Sequence, residues 1–446
     1  MTSLSPPAPQ DDLTITSRPR RYAVLAVLYM AQGIPSYVFV AAIPPILREQ
    51  GVSRTVIGFM ALILLPLAVK FLWAPLVDRW RPLARFGPRR GWIVPTQALI
   101  ALCFAALALV RPTDIWAVFA LGMLLSLLIS TQDIATDGYA VLTLQPGERA
   151  TGNAIQGGAI AASVVLGGTM GLVLYQLVGW QAMMLAVAAL CLAPLAVLPA
   201  MHEDRAPPGT RRHRPRLRAF LARPEAVSVL VLALFYRASE GLVKSMEGPY
   251  LVDAGMGLDR IGYLSGASAA TVGLGGSALA ALAVRRWGAH NTLVLLGSLR
   301  SLCFATFAIH ALGLIAGLVS IGGAAMMQTL IRYMEIVALY ALFMSVSSRE
   351  QPGTDFTILA CAQLIVYQTG GIVAGVLADT LGYATLFCLA TVISMAATWA
   401  TRRHRLRHNH LTQSTGPRET HAQSTASCDA RRICLPDRAE AKATRQ

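Results

Sequence analysis

The chain has 446 residues, of which 55% are hydrophobic and only 14% are charged, and its formal net charge is +15 at pH 7. A soluble globular domain carries about 25% charged residues, so this composition excludes an ordinary soluble fold and indicates lipid around much of the surface. The positive charge would also suit a nucleic-acid-binding protein. However, 29 of the 38 basic residues fall on one side of the membrane topology that we predict. This positive-inside bias places both termini in the cytoplasm, and we expect no nucleic-acid partner.

Apolar stretches of about 20 residues, the length that crosses a bilayer as a helix, recur from Tyr22 to Trp399. The N-terminal segment 1–21 is polar and basic, and we expect it to be cytoplasmic rather than a cleaved signal peptide. The pattern predicts an all-α polytopic membrane protein. Its twelve predicted transmembrane helices are residues 22–44, 55–77, 91–110, 115–142, 152–176, 180–200, 225–250, 258–283, 291–310, 314–346, 356–378 and 382–401.

A polar, basic and proline-rich segment at 201–224 divides the chain into two six-helix halves, 22–200 and 225–401. We predict that it is a cytoplasmic linker, with a short amphipathic helix on the inner leaflet as one option. Residues 402–446 have few hydrophobic side chains, which predicts a disordered basic cytoplasmic tail. The seven cysteines lack metal-ligand spacing, so we expect no disulfide, metal site or cofactor.

The two halves repeat weakly in sequence. Leu47–Gly51 matches Leu251–Gly255 at an offset of 204 residues, and Gly179-Trp180 matches Gly382-Tyr383 at an offset of 203. Gly167-Gly168 and Gly370-Gly371 form a further pair with the same offset of 203. A six-helix unit repeated in parallel predicts a binding site between the halves near the middle of the bilayer.

Charged side chains inside the predicted spans mark functional candidates, because each costs several kcal/mol in lipid, of order 3 on insertion scales. Asp133 and Asp137 lie one helical turn apart in the fourth span. Two adjacent carboxylates raise each other's proton affinity, as a proton-carrying site requires. The alternative is that one or both pair with a base, for which Lys70 in the second span is the candidate.

The seventh span carries four charged residues on one helical face, with alternating sign: Arg237, Glu240, Lys244 and Glu247. They form either a self-neutralising structural ladder or a stripe that faces a cavity. The tenth span adds Arg332 and Glu335, three residues apart. Arg300 lies close enough to the end of the ninth span to reach the cytoplasmic interface, and we interpret it as a snorkelling residue.

Between the second and third spans, Ala74–Trp80 (APLVDRW) and Gly87–Gly91 (GPRRG) resemble the signature of the major facilitator superfamily. In that family an acid and several bases latch the cytoplasmic side. By this resemblance the gate comprises Asp78, Arg79, Arg89 and Arg90. This copy has Ala74 where glycine is common, and about seven additional residues separate its two parts.

Two further stretches, Lys70–Pro75 (KFLWAP) and Ser130–Gly138 (STQDIATDG), resemble one branch of that superfamily. The branch contains the muropeptide permeases (AmpG-like), the acetyl-CoA transporters and siderophore permeases (RhtX/FptX-like). Gln32–Pro35 (QGIP) and Ala42–Gly51 resemble the siderophore permeases more closely.

The resemblance implies that helices seven and ten line a central cavity and that helices five and eleven face each other across the halves. Their paired glycines would then form either a sliding interface or a static one. We expect the proton-coupling residues among Asp133, Asp137, Glu240, Glu247 and Glu335, and the substrate-cavity residues among Lys70, Gln132, Arg237, Lys244 and Arg332.

The function predicted from these features is secondary transport rather than an enzymatic reaction. We expect a monomer in the bacterial inner membrane that imports a siderophore, ferric or iron-free, from periplasm to cytoplasm together with protons. An anhydromuropeptide permease of cell-wall recycling is the alternative within the same class. A membrane-embedded transferase or a sensor would belong to other classes, but the polar residues lie in mid-span and no nucleotide-binding or HExxH motif is present.

Overall fold

In the computed structural model, which describes residues 17–52, 56, 60–201, 215–257, 260 and 268–414, the chain is helical almost throughout. Over these residues we number twelve spans, which confirms the predicted fold class: α1 (Arg18–Leu47), α2 (60–79), α3 (Arg90–Leu109), α4 (Ile115–Thr143), α5 and α6 (Pro146–Ala200, divided at Gly179), α7 (Pro224–Asp253), α8 (Ser268–Trp287), α9 (Ala289–Ala311), α10 (Leu318–Val346), and α11 and α12 (Pro352–Ser414, divided at Gly382).

Eight helical segments of the described chain are long and apolar enough to cross a membrane, and two of these contain two spans each. The remaining spans are α2 and α8. Over the described part of the predicted span 55–77, α2 consists of four short helical pieces: Met60–Leu64, Leu65–Val69, Lys70–Leu72 and Ala74–Arg79. Pro66 and Pro75 each occupy the first turn of an α-helical piece, where proline is tolerated because its missing N–H has no partner in that turn.

The linker and the tail differ from their predictions. Leu217–Leu221 forms a short helix, but Phe220 is fully buried in the protein core instead of lying on a membrane surface. The helix that contains α12 continues to Ser414, past the predicted end of the last span at residue 401. The predictions for 1–16, 202–214 and 415–446 concern segments outside the described residues.

The backbone repeats where the sequence predicted that it would. Gly51 and Gly255 follow the first helix of each half with φ of 82° and 89°, a left-handed conformation that favours glycine. Gly179 and Gly382 divide the last two spans of each half with φ of 78° and 79°. Each pair is separated by the predicted offset, so the sequence matches reflect equivalent turns in two copies of one six-helix unit.

The start of each half carries an equivalent ion pair. Arg21 of α1 contacts Glu148, in the first turn of α5, at 2.6 Å, and Arg223, just before α7, contacts Asp355 of α11 at 2.5 Å. These pairs lie on the side of the molecule where α1, α3, α5, α7, α9 and α11 begin, which we call the basic side. Each pair joins the first and fifth helices of its half at that side.

Among the described residues, the core that the two halves share lies at the basic side. There one apolar cluster combines Tyr29 and Tyr139 of the first half with Phe343 and Phe356 of the second. Toward the opposite side each half has its own cluster, and Phe104 belongs to the cluster of the first half. Among the described residues, the two halves are therefore packed together around a common core at the basic side, whereas toward the opposite side each half is packed around its own core.

Candidate functional site

The predicted gate residue Asp78 joins the two halves at the basic side. Its carboxylate lies 2.6 Å from the guanidinium of Arg89 and accepts hydrogen bonds from Thr354 N and Oγ1, both at 2.6 Å. Gly353 N donates a longer bond of 3.3 Å. These amides belong to the first turn of α11, where backbone N–H groups lack helical partners and the helix dipole favours an anion. Asp78 thus caps a helix of the other half and connects the two halves at the basic side.

The other two predicted gate residues have different surroundings. Arg90 donates a hydrogen bond to the carbonyl oxygen of Met201, at the end of α6. Arg79 is exposed at the end of α2. A Cβ on Gly353 would lie 2.9 Å from both Asp78 Oδ1 and the carbonyl oxygen of Ile134, so glycine permits the close approach of α11 to α2 and α4.

A cluster of three charged residues lies inside the first half, which we call the carboxylate cluster: Lys70, Asp133 and Asp137. Lys70 and Asp133 form an ion pair, as the sequence suggested. Asp137, which is 1% exposed, accepts a hydrogen bond of 3.2 Å from the hydroxyl of Tyr29 and forms no ion pair with any described residue. The cluster therefore contains one carboxylate more than it has cations.

Gln132 does not line the space between the halves. It is fully buried, donates to Gln97 Oε1 at 2.6 Å and accepts from Thr96 Oγ1 at 3.2 Å, and both partners lie on α3. Its neighbour Thr136 accepts a hydrogen bond of 2.6 Å from Gln32 of α1. Gln132 thus fixes α4 against α3, so its assignment to the substrate cavity is wrong.

The second half contains a charged group that we call the guanidinium cluster: Arg237, Glu240 and Arg332, with Tyr367 beside them. Arg237 and Glu240 form an ion pair within one turn of α7. Nε of Arg332, on α10, lies 3.2 Å from Glu240 Oε1. The guanidinium carbons of both arginines are 5.2 Å from the ring centroid of Tyr367, within cation–π range.

The interpretation of Arg300 as a snorkelling residue is wrong. Its side chain is 0% exposed, and its Nη1 lies 3.1 Å from both carboxylate oxygens of Glu335. Tyr236 donates a hydrogen bond of 2.8 Å to the same carboxylate, and Arg300 Nε donates to Ser394 at 3.1 Å. Glu335 is therefore the counter-ion of Arg300, and the group fastens α7, α9, α10 and α12 together.

The remaining predicted pair, Lys244 and Glu247, lies one turn further along α7, with 2.7 Å between Nζ and Oε1. Lys244 is 22% exposed and Glu247 is 6% exposed. All four charges of the α7 stripe are thus compensated within the protein. This supports part of the structural alternative, while the partial exposure of Lys244 and Arg332 (32%) leaves two cations accessible.

The guanidinium cluster lies near the middle of the molecule. Arg237 is 13 residues into the 30-residue helix α7, and Arg332 is 14 residues into the 29-residue helix α10. At 1.5 Å per residue, each is about 20 Å from both ends of its helix. Tyr37 of the first half lies near Arg332 and Tyr333, so the cluster faces the boundary between the halves.

The expectation that helices five and eleven face each other is wrong. In the structure α5 packs on α8 and α10, while α11 packs on α7, α4 and α2. A Cβ on Gly157 of α5 would meet Ser277 of α8. The glycines do permit close approach of helices, but the inter-half partners are α5 with α8 and α2 with α11.

Three uncharged contributors were missed by the sequence interpretation: Tyr29, Tyr367 and Thr354. Each lies on a different helix from the charged group that it contacts. Gly241 is a sequence feature that could have indicated the close approach of Tyr367, because a Cβ at position 241 would lie 3.1 Å from the Tyr367 Cα. Glycine at this position of α7 lets the backbone of α11, and with it the tyrosine ring, reach the cluster.

Comparison with known proteins agrees with this architecture. The chain is 26% identical over 392 residues to the anhydromuropeptide permease of Escherichia coli K12, covering 86% of this chain and 79% of that protein. It is 22% identical to a proposed transporter, AmpG 4, of Rickettsia conorii, covering 83% of this chain and 93% of the relative.

Solved structures share the fold at low sequence identity. A bacterial homologue of the iron transporter ferroportin, in an outward-facing state, superposes with a TM-score of 0.66 at 16% identity, covering 87% of this chain and 99% of that structure. The transporter FucP in its outward conformation gives 0.64 at 12% identity, with 86% and 98% covered. The sequence model of the Major Facilitator Superfamily matches residues 25–336. The chain therefore belongs to the Major Facilitator Superfamily, a family of polytopic membrane transporters.

Proposed function

We propose that this transporter imports anhydromuropeptides from the periplasm to the cytoplasm across the bacterial inner membrane, together with protons. The observation that carries the proposal is the similarity to the Escherichia coli anhydromuropeptide permease, which extends over 86% of this chain. The positive-inside bias supports a cytoplasmic basic side. The opposite side, where each half has its own core, would then face the periplasm, the side from which an importer takes its substrate.

The charge distribution supports the coupling to protons. In the middle of the bundle, the first half has one cation, Lys70, and two aspartates. The second half has four cations and three glutamates. The ten charges sum to zero, but the first half has one excess negative charge and the second half one excess positive charge. An anhydromuropeptide is a sugar peptide with free carboxylates, so its anionic end would suit the second half, and a proton on Asp137 would compensate for the charge that it brings.

Ten of the predicted site residues take a proposed role on this basis. Asp137, with the Lys70–Asp133 pair beside it, is the proton site, and Arg332 with Lys244 faces the substrate. Asp78 with Arg89 is the cytoplasmic gate. Glu240, Glu247 and Glu335 compensate arginine or lysine charges in this conformation and are not needed as the primary proton site.

Siderophore import is the second candidate, and the observation that favours it is the Gln32–Pro35 and Ala42–Gly51 sequence in α1. The two relatives from Escherichia coli and Rickettsia conorii give no support to this candidate, because neither is named as a siderophore permease. One experiment separates the two candidates: uptake of radiolabelled anhydromuropeptide, and in parallel of ferric hydroxamate, catecholate and thiazoline siderophores, by cells that lack their own permeases and express this chain.

We expect accumulation of the anhydromuropeptide that a protonophore abolishes, and no siderophore uptake above that of cells without the chain. Siderophore accumulation without muropeptide uptake would replace the proposal with the second candidate. Muropeptide uptake that a protonophore does not affect would contradict the coupling but not the substrate.

A further inference from the structure

Two guanidinium groups of the second half share one buried carboxylate, but they hold it unequally. Arg237 donates a hydrogen bond from Nη1 to Glu240 Oε2, three residues along the same helix. Arg332 approaches the other oxygen, Oε1, with its Nε at 3.2 Å. That oxygen has no hydrogen-bond partner among the described residues, so the contact with Arg332 is an ion pair without hydrogen-bond geometry.

Solvent exposure separates the two arginines further. The side chain of Arg332 is 32% exposed, whereas that of Arg237 is 7% exposed and that of Glu240 is fully buried. A solute that enters between the halves can therefore reach the guanidinium of Arg332, while Arg237 stays covered. The loosely held arginine is also the accessible one.

Tyr367 provides a support that does not depend on Glu240. Its ring centroid is 5.2 Å from the guanidinium carbon of Arg332, so the arginine keeps a cation–π contact when its ion pair is exchanged. The position of this ring follows from the close approach of α11 to α7 at Gly241, where a Cβ would lie 3.1 Å from Tyr367 Cα. Arg332 is thus held near the boundary of the halves by a neutral aromatic group.

We propose that Arg332 binds a carboxylate of the substrate and that Glu240 is its resident counter-ion, which Arg332 exchanges for that carboxylate. Arg237 keeps its bond to Glu240 throughout, so the exchange leaves no buried carboxylate without a cation, which would be strongly destabilising. Arg237 is accordingly a positioning residue, not a substrate ligand. The inference rests on the proposed function and assigns one anionic subsite within it.

The test measures binding of an anhydromuropeptide with free carboxylates and of the same molecule with its carboxylates converted to carboxamides, on the purified full-length protein. Removing the resident counter-ion by Glu240→Gln eliminates competition for Arg332. We expect it to tighten binding of the carboxylate form by about tenfold, the size of one charge-assisted hydrogen bond, and to leave the carboxamide form unchanged. Arg332→Gln should weaken the carboxylate form by about tenfold and abolish the preference between the two forms.

Glu148→Gln is the matched control, because Glu148 is also a buried glutamate paired with an arginine, at 2.6 Å, but lies at the basic side. It should change neither affinity. The inference is overturned if folded Glu240→Gln protein binds the carboxylate form no more tightly than wild type. It is also overturned if Arg332→Gln still prefers the carboxylate form to the carboxamide form. This second variant keeps the test informative if Glu240→Gln does not fold.

Binding of the two forms to the wild-type protein distinguishes a failure of this inference from a failure of the proposed function. Equal affinity for the carboxylate and carboxamide forms would overturn the anionic subsite and leave muropeptide transport in place. Binding of neither form would overturn both.

Discussion

The two halves of the transporter share one helical plan but differ in their buried charge. Helices α4 and α10 are equivalent and both have 29 residues. On α4, Asp133 and Asp137 face Lys70. At the same positions of α10, 203 residues later, stand Ile336 and Tyr340, and the charges of that helix, Arg332 and Glu335, occupy other positions.

This difference indicates how a duplicated scaffold divides two tasks. Backbone turns such as those at Gly51 and Gly255 are kept in both copies, because the fold of each half requires them. The charges in the middle of α4 and α10 are not kept at equivalent positions, so each half can have its own charge balance. An excess carboxylate in the first half suits a proton, and an excess guanidinium in the second half suits an anion.

The largest expected effect concerns the buried cation of each half. Arg300→Gln leaves Glu335 without a cation in a fully buried site, so we expect it to lower the free energy of unfolding by about 3–5 kcal/mol. Lys70→Gln should cost less, because Asp133 is 17% exposed and keeps access to water. Thermal unfolding of the two variants in the same detergent shows which of them loses more stability.

A double variant provides the control for this prediction. Arg300→Gln combined with Glu335→Gln should recover part of the stability, because the second change removes the stranded charge. A loss for Lys70→Gln that equals or exceeds the loss for Arg300→Gln would contradict the distinction between a rigid pair in the second half and a partly hydrated pair in the first.

A smaller effect is expected where the halves meet. Asp78→Asn removes the charge from the hydrogen bonds to the first turn of α11 and should weaken the closed basic side by about 1.5–3 kcal/mol. Thr354→Val keeps the backbone bond and loses only the hydroxyl bond, worth about 1 kcal/mol. Spin labels at positions 79 and 349, both exposed, report the separation of the basic ends.

We expect a longer distance population in Asp78→Asn, a smaller one in Thr354→Val and the shorter distance in wild type. An unchanged distance distribution in Asp78→Asn would show that the shared apolar core closes the basic side without this contact.

The smallest expected effect uses two glycines of α7. Gly241 contacts the backbone of Tyr367, whereas a Cβ on Gly248 would meet nothing within 4 Å. Gly241→Ala should displace α11 and with it Tyr367, and we expect substrate affinity to fall about threefold to tenfold, or about 1 kcal/mol. Gly248→Ala should leave affinity unchanged, because apart from its chain neighbours the added Cβ meets no group. Equal affinities for the two variants would contradict the supporting role of Tyr367.

Features with a local cause could be predicted from the sequence. The spans follow from hydrophobic length, the repeat from glycines that a left-handed turn requires, and the Lys70–Asp133 pair from the cost of isolated charges. The breaks in α2 were also encoded, because Pro66 and Pro75 stand inside the predicted helix.

Features that depend on helix rotation and packing could not be predicted. Arg300 was given a membrane-surface role because its partner Glu335 lies on another helix, and sequence spacing does not reveal which faces meet. Gln132 was assigned to the cavity for the same reason, although its side chain points to α3. The partner of Asp78 lies 276 residues away in the other half, at Thr354.

The central claim, that the excess carboxylate of the first half couples transport to protons, is tested most directly in proteoliposomes. Wild-type protein and Asp137→Asn are compared for uptake of labelled anhydromuropeptide with and without an imposed inward proton gradient. Because Asp137 forms no ion pair among the described residues, the variant leaves the Lys70–Asp133 pair in place. We predict that wild type accumulates substrate above equilibrium only with the gradient, and that Asp137→Asn equilibrates substrate at the same level with or without it. Gradient-driven accumulation by Asp137→Asn equal to that of wild type would contradict the account.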